Sequence, residues 1–277
     1  MNQPKIETIA VMGAGTMGGG IAALCLISGF EVRLYDPFQA SLDKAKIRVL
    51  KRSDEATVAA NLVTTTDLAE AAQGADFVIE AVPEKLELKR DLFQQLDELT
   101  PAHAVLATNT SELSVTALAG VTQRPGQVIG MHWFNPPERM SLVEIVRALQ
   151  TSDQTLHVTE EVAKACGKTT VVVADRQGFV TTRALAALLI ESMRMLEEGV
   201  AEARDLDTAV KLGLNHPMGP LELADYVGLD TMLLIAESMT EALGERFRPP
   251  QTLRKLVEAG RLGRKSGRGF YEYEDKV

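Results

Sequence analysis

The chain has 277 residues, 45% of them hydrophobic and 24% charged, which excludes a disordered, collagen-like or disulfide-scaffold protein and leaves enough length for two cores. A formal net charge of −9 gives no basic surface for nucleic acid or acidic lipid, so neither partner is expected. Only Cys25 and Cys166 are present, far apart and each within an apolar helical pattern, so no disulfide framework is expected and a reducing, cytoplasmic setting is.

The apolar stretches IAALCLISGF and ALAALLI fall short of the ~18–20 residues needed to cross a bilayer. Residues 1–8, MNQPKIET, lack the charged start and apolar segment of a signal peptide. No cluster with metal-ligand spacing occurs, and no metal is expected.

In chain order, strands are predicted at IETIAVM (6–12), EVRLYD (31–36), FVIEAV (77–82), AVLAT (104–108), VIGMHW (128–133), LVEIV (142–146) and TVVVA (170–174). Several are apolar throughout, which fits parallel strands covered on both faces. Helical patterns at 17–29, 38–52, 85–97 and 154–166 fill the gaps, so right-handed βαβ units and an open, doubly wound Rossmann-type sheet follow. After DRQGF (175–179) the pattern turns helical: FVTTRALAALLIESMRMLEEG ends on Gly199, a C-terminal cap, and 205–213, 219–240 and 249–259 are further helices. The predicted fold class is therefore α/β with a C-terminal all-helical domain, divided into 1–178 and 179–277.

The first motif is GAGTMG, the residues Gly13, Ala14, Gly15, Thr16, Met17 and Gly18, a G-x-G-x-x-G that follows a strand and opens a helix. Gly13 permits the tight turn, Gly15 lets backbone N–H groups approach a pyrophosphate, and Gly18 lets the helix pack on the strand. The next strand ends on Asp36, whose carboxylate suits the two hydroxyls of an adenosine ribose. That carboxylate would repel a 2′-phosphate, and no arginine follows in DPFQA to receive one, so the expected cofactor is NAD rather than NADP.

In such a sheet the carboxyl ends of the strands face the cofactor, which puts Asn109, Ser111 and His132 on that edge. Imidazole titrates near neutral pH and can take a hydroxyl proton as hydride leaves the same carbon, the chemistry of alcohol oxidation. Glu144, inside LVEIV, is the candidate carboxylate to fix the tautomer of His132; an edge-strand charge is the blander reading.

TNTSEL (108–113), HWFNP (132–136), LVEIV, GFVTTR (178–183), HPMGPLELADYVGLD (216–230) and GRLGRKSGRGFYEY (260–273) resemble, in order and spacing, the L-3-hydroxyacyl-CoA dehydrogenase family, nearly end to end. The resemblance implies an NAD-dependent enzyme that interconverts L-3-hydroxyacyl-CoA and 3-oxoacyl-CoA and forms a homodimer. It makes His132 and Glu144 a base and its orienter, and Ser111 a residue that holds the substrate oxygen near nicotinamide. It assigns Glu84, Lys89, Asn135 and Lys265 to contacts with NAD; Asn109 is counted with them and shapes the same turn.

The chain departs from the family at two places. Gln177 and Thr182 stand where a pattern like D-x-P-G-F-V-x-N-R has proline and asparagine, and Thr182 then holds the substrate carbonyl with one hydroxyl in place of an amide. Residues 37–64 are shorter than the helical hairpin that contacts coenzyme A, though the remaining helix carries Lys44, Lys46, Arg48, Lys51 and Arg52. The short region leaves open a dehydrogenase of a free hydroxy acid or sugar acid, and Thr182 leaves open an NAD-binding relative with little turnover.

Overall fold

The computed structural model describes residues 5–273, which separate into two compact units divided between residues 176 and 177, two residues before the expected boundary. In the first unit the elements are β1 (Thr8–Met12), α1 (Thr16–Ile27), β2 (Glu31–Tyr35), α2 (Gln39–Leu50), α3 (Glu55–Asn61), β3 (Leu62–Thr65), α4 (Leu68–Ala72) and β4 (Phe77–Glu80). There follow α5 (Leu86–Leu99), β5 (Val105–Thr108), α6 (Val115–Ala119), β6 (Val128–Trp133), β7 (Leu142–Arg147), α7 (Asp153–Ala165) and β8 (Thr169–Ala174). The eight strands form one sheet in the order β3-β2-β1-β4-β5-β6-β7-β8.

Every residue of β1, β4 and β5 is buried, the consequence of helices on both faces. Ile9, Val11, Phe77, Ile79, Ile129 and Ile145 join α1, α2 and α7 in one apolar cluster. The intervening Ala10, Met12, Val78, Leu106 and Val128 are buried on the opposite side. Most neighbouring strands are parallel, but β6 and β7 are antiparallel. The reason is length: residues 134–141 are too few for a helical crossover, which needs a dozen or more, so the chain turns back beside the strand it has left. The register of that return sets His132 directly opposite Glu144.

Two differences from the predicted elements have local causes. Strand β3 was not expected, because LVTT is short and only its last residue is buried; it pairs with β2 at the sheet edge. In the second unit the predicted helix 219–240 is two helices, broken at Gly228, whose φ of 102° no helix accommodates.

The second unit contains α8 (Thr181–Glu197), α9 (Ala203–Gly213), α10 (Pro220–Val227), α11 (Leu229–Leu243) and α12 (Gln251–Glu258) around a core that includes Leu189, Met193, Leu221, Leu229, Met232 and Leu253. Its C-terminal stretch is tied to that core by two carboxylates. Asp225 accepts from the backbone N–H groups of Phe270 and Tyr271 at 2.9 and 3.0 Å and from the Tyr273 hydroxyl at 2.9 Å. Asp207 accepts from Leu221 N–H at 2.8 Å and from the Tyr271 hydroxyl at 2.8 Å. Among the described residues no helix is long and apolar enough to cross a membrane.

One contact lay beyond sequence reasoning. Cys25 near the end of α1 and Cys166 at the end of α7 are both buried, free thiols with their sulfur atoms 4.0 Å apart.

Candidate active site

The turn from β1 to α1 has the geometry a phosphate cradle needs. Gly13 has φ +105°, and a Cβ there would lie 2.7 Å from the Ala81 carbonyl oxygen; a Cβ on Gly18 would lie 1.7 Å from the Gly13 carbonyl oxygen. Both glycines are demanded by the chain itself. Gly15 is different: nothing lies within 4 Å of where its Cβ would be, so the space over its backbone is open to a ligand. No side chain caps the start of α1, and its first turn holds no acidic residue, so the partial positive charge of the helix end stays available to an anion.

Asp36 fixes this turn from the end of β2. Its carboxylate accepts from the backbone N–H groups of Ala14 at 2.9 Å and Phe38 at 3.0 Å, which sets one oxygen on the glycine turn and the other on the loop beyond. A cavity of about 790 Å³ opens beside it, lined by Gly13, Gly15, Met17, Asp36, Phe38 and Leu88 among others. No lysine or arginine is among its described lining residues, while Asp36 and Asp91 are. The cavity therefore fits the uncharged ribose of NAD and not a 2′-phosphate.

Farther along the same sheet edge, β4 and β5 hold a network with Lys89 at its centre. Lys89 is 1% exposed; its ammonium donates to Glu80 at 2.7 Å and lies 3.2 Å from Glu84. Glu80, fully buried, also accepts from the Thr108 hydroxyl at 2.6 Å and from Val82 N–H at 2.7 Å. Glu84 accepts from the Thr110 hydroxyl and from Ser111, through its N–H at 2.9 Å and its hydroxyl at 3.4 Å. Burial pushes the Glu84 carboxyl up, but the Lys89 charge and these donors outweigh it and hold the group below the usual carboxylate range. The network thus braces the turn that carries Ser111.

Asn109 lies between this network and β6, its side-chain oxygen accepting from Trp133 N–H at 2.9 Å. At the carboxyl end of β6, His132 Nδ1 lies 2.7 Å from Glu144 Oε2, with the histidine 7% exposed and the glutamate fully buried. The Phe134 ring packs 4.5 Å from the imidazole, centroid to centroid. The contact engages one ring nitrogen with a buried carboxylate and so orients the imidazole.

The first unit therefore brings together the glycine turn, Asp36, Glu84, Lys89, Asn109, Ser111, His132 and Glu144 along one sheet edge. Asn135 is exposed just after β6, at a cis peptide bond to Pro136. Thr182 and Lys265 belong to the second unit. Thr182 stands in the first turn of α8, after Gly178 and Phe179, both at positive φ. Gln177, in the place of the family proline, donates to the Ser238 hydroxyl at 2.7 Å and ties that turn to α11. Lys265 pairs with Asp230 at 2.6 Å.

Sequence reasoning missed Glu80, Thr108, Thr110 and Glu112. Glu80 carried a readable signal, a lone charge inside the apolar run FVIEAV, the same kind of signal that drew attention to Glu144. Glu112 carried none.

Residues 8–176 match the family model for the NAD binding domain of 3-hydroxyacyl-CoA dehydrogenase, and residues 178–273 match the model for its C-terminal domain. The chain is 44% identical to a probable 3-hydroxybutyryl-CoA dehydrogenase of Bacillus subtilis, over 99% of each chain. It is 46% identical to a protein of the same name from Deinococcus radiodurans, over 95% of this chain and 99% of that one. The crystal structure of (S)-3-hydroxybutyryl-CoA dehydrogenase from Ralstonia eutropha superimposes with a TM-score of 0.93 at 39% identity, covering 98% of this chain and 100% of that one. Matched in both units and over nearly its whole length, the chain belongs to the 3-hydroxyacyl-CoA dehydrogenase family and is an NAD-dependent oxidoreductase.

Proposed function

We propose that the chain interconverts a short L-3-hydroxyacyl-CoA, such as 3-hydroxybutyryl-CoA, and the matching 3-oxoacyl-CoA, with His132 and Glu144 as its catalytic dyad. The carrying observation is the 2.7 Å contact between His132 Nδ1 and Glu144 Oε2 at the carboxyl edge of a dinucleotide-binding sheet. The short chain rests on the relatives' names, each a 3-hydroxybutyryl-CoA dehydrogenase.

In oxidation, Nε2 of His132 accepts the proton of the substrate hydroxyl. Glu144 holds Nδ1–H and stabilises the imidazolium that results. Ser111, braced from below by Glu84, donates to the substrate oxygen. Bound NAD supplies the two-electron acceptor that takes the hydride from the same carbon. In reduction His132 returns the proton to the carbonyl oxygen.

The test is NADH oxidation by acetoacetyl-CoA, by longer 3-oxoacyl-CoA thioesters and by free acetoacetate, repeated with His132→Ala. Acetoacetyl-CoA is expected to be the best substrate. The variant should lose roughly 10²–10⁴-fold in kcat while binding NADH as before. Preference for the free acid, or a variant that keeps its turnover, overturns the reading.

A further inference from the structure

The two cysteines take no part in the chemistry described above, yet the fold brings them into contact from 141 residues apart. Their surroundings differ. Cys25 lies inside α1, fully buried, and its hydrogen bond with the neighbouring sulfur, with burial added, pushes its thiol well up. Cys166 caps the C-terminus of α7, before a left-handed Gly167, and is 6% exposed. A hydrogen bond from the Cys25 thiol, aided by Ser28 and the charge of Lys168, outweighs burial and draws the Cys166 thiol down. Cys166 is thus the more readily ionised of the two and sits at a helix end, with its partner sulfur 4.0 Å away.

We propose that Cys25 and Cys166 form an oxidisable dithiol site that a small hydroperoxide converts into an internal disulfide behind the cofactor cradle. The Cys166 thiolate attacks one oxygen of hydrogen peroxide. The O–O bond breaks, Cys166 becomes a sulfenic acid and hydroxide leaves, taking up a proton to form water. Cys25 then attacks the sulfenic sulfur and loses its proton, the S–O bond breaks, and a second water departs. In balance, two thiols and one peroxide give one disulfide and two waters, and the two sulfurs are oxidised by two electrons.

The site is coupled to cofactor binding by what it touches. A disulfide needs sulfurs about 2.05 Å apart, so α1 and the end of α7 must draw together by up to roughly 2 Å or re-seat their side chains. The helix being drawn is the one whose start forms the phosphate cradle. It has little slack: a Cβ on Gly20 would lie 2.5 Å from Pro137. The Lys168 ammonium, two residues from Cys166, donates to the carbonyls of Pro137 and Met140 at 2.7 and 2.8 Å and so holds the loop that follows Asn135.

The experiment treats the folded, full-length protein with hydrogen peroxide and reads intact mass, peptide mapping and NADH affinity. The expected product has lost about 2 Da, carries a Cys25–Cys166 linked peptide and returns to the starting mass with dithiothreitol. Cys25→Ala should not lose that mass and should instead trap a dimedone adduct at Cys166. The disulfide form should bind NADH at least threefold more weakly, reversed by reduction. A folded protein that resists peroxide, gains only oxygen mass, or forms the bond only after unfolding overturns the site; an oxidised form with unchanged NADH affinity overturns its coupling to the cradle.

Discussion

Glu84 and Glu112 lie in the same corner of the site and are held in opposite states. Glu84 has a lysine and three donors from Thr110 and Ser111, which keep it ionised. Glu112 has one carboxylate oxygen buried without a hydrogen-bond partner, and burial, with the charge of Glu84 added, pushes its carboxyl up to about 7. The folded protein therefore binds a proton at Glu112 between pH 4.5 and 7 that the unfolded chain has released. Across that window stability falls as pH rises; the loss is complete above 7 and absent below 4.5. Glu112→Gln removes the titration and should melt on the order of 2–4 °C higher than the parent at pH 8, an amount already discounted for the group's partial exposure. The gap should close by pH 4.5. Calorimetric melting of both proteins across this range checks it, and a gap independent of pH would show that Glu112 is ionised throughout.

At the scale of elements, the strand-turn-helix from β1 to α1 separates what the fold needs from what the ligand needs. Gly18→Ala meets the Gly13 carbonyl at 1.7 Å and must displace the helix from the strand. Gly15→Ala meets nothing, and its φ of −67° suits any residue, so the cost is about 1 kcal/mol or less, that of a poorer helix cap. Gly15→Ala is thus expected to melt within a few degrees of the parent while its NADH dissociation constant, read by fluorescence, rises at least tenfold. Gly18→Ala should lose both. If Gly15→Ala binds NADH normally, the open space over the turn is not where the pyrophosphate lies.

The same scale explains how much was legible beforehand. Buried strands announce themselves as apolar runs, so VIGMHW and LVEIV were visible, and so was the polar side chain each carries at the register where they meet. An edge strand such as LVTT has one buried residue and leaves no such trace. Gly228 inside an apolar helical pattern is tolerated by the pattern and refused by the backbone, so the break between α10 and α11 went unseen. Contacts set by tertiary packing left no spacing to read: Lys89 was legible only through the family, as a cofactor contact, and Glu80 only as a lone charge, while their pairing and the meeting of Cys25 with Cys166 follow from which faces of the elements are pressed together.

For the whole molecule, charge is distributed against its own total. The chain carries −9, yet Lys44, Arg48, Lys51 and Arg52, spaced to share one face of α2 and the turn after it, line a single cavity of about 660 Å³ with Arg139 from the loop beyond β6. Two of these cations are engaged: Arg48 donates to the Thr16 carbonyl at 2.6 Å, and Arg52 lies 3.3 Å from Glu138. Lys44 and Lys51 are exposed on the same wall. A cationic pocket on an anionic protein concentrates an anionic ligand locally, and the phosphates of an acyl-CoA are such a ligand. Reversing both charges, Lys44→Glu with Lys51→Glu, leaves the cradle contact of Arg48 in place. With ~1 kcal/mol per exposed charge contact, the KM for acetoacetyl-CoA should rise roughly tenfold or more, with kcat and the KM for NADH unchanged. The parent's KM for the thioester should itself climb with salt, and the variant's should climb less. A KM that ignores both the reversal and the salt would make this wall a solvated helix face, and the coenzyme A phosphates would have to be held elsewhere.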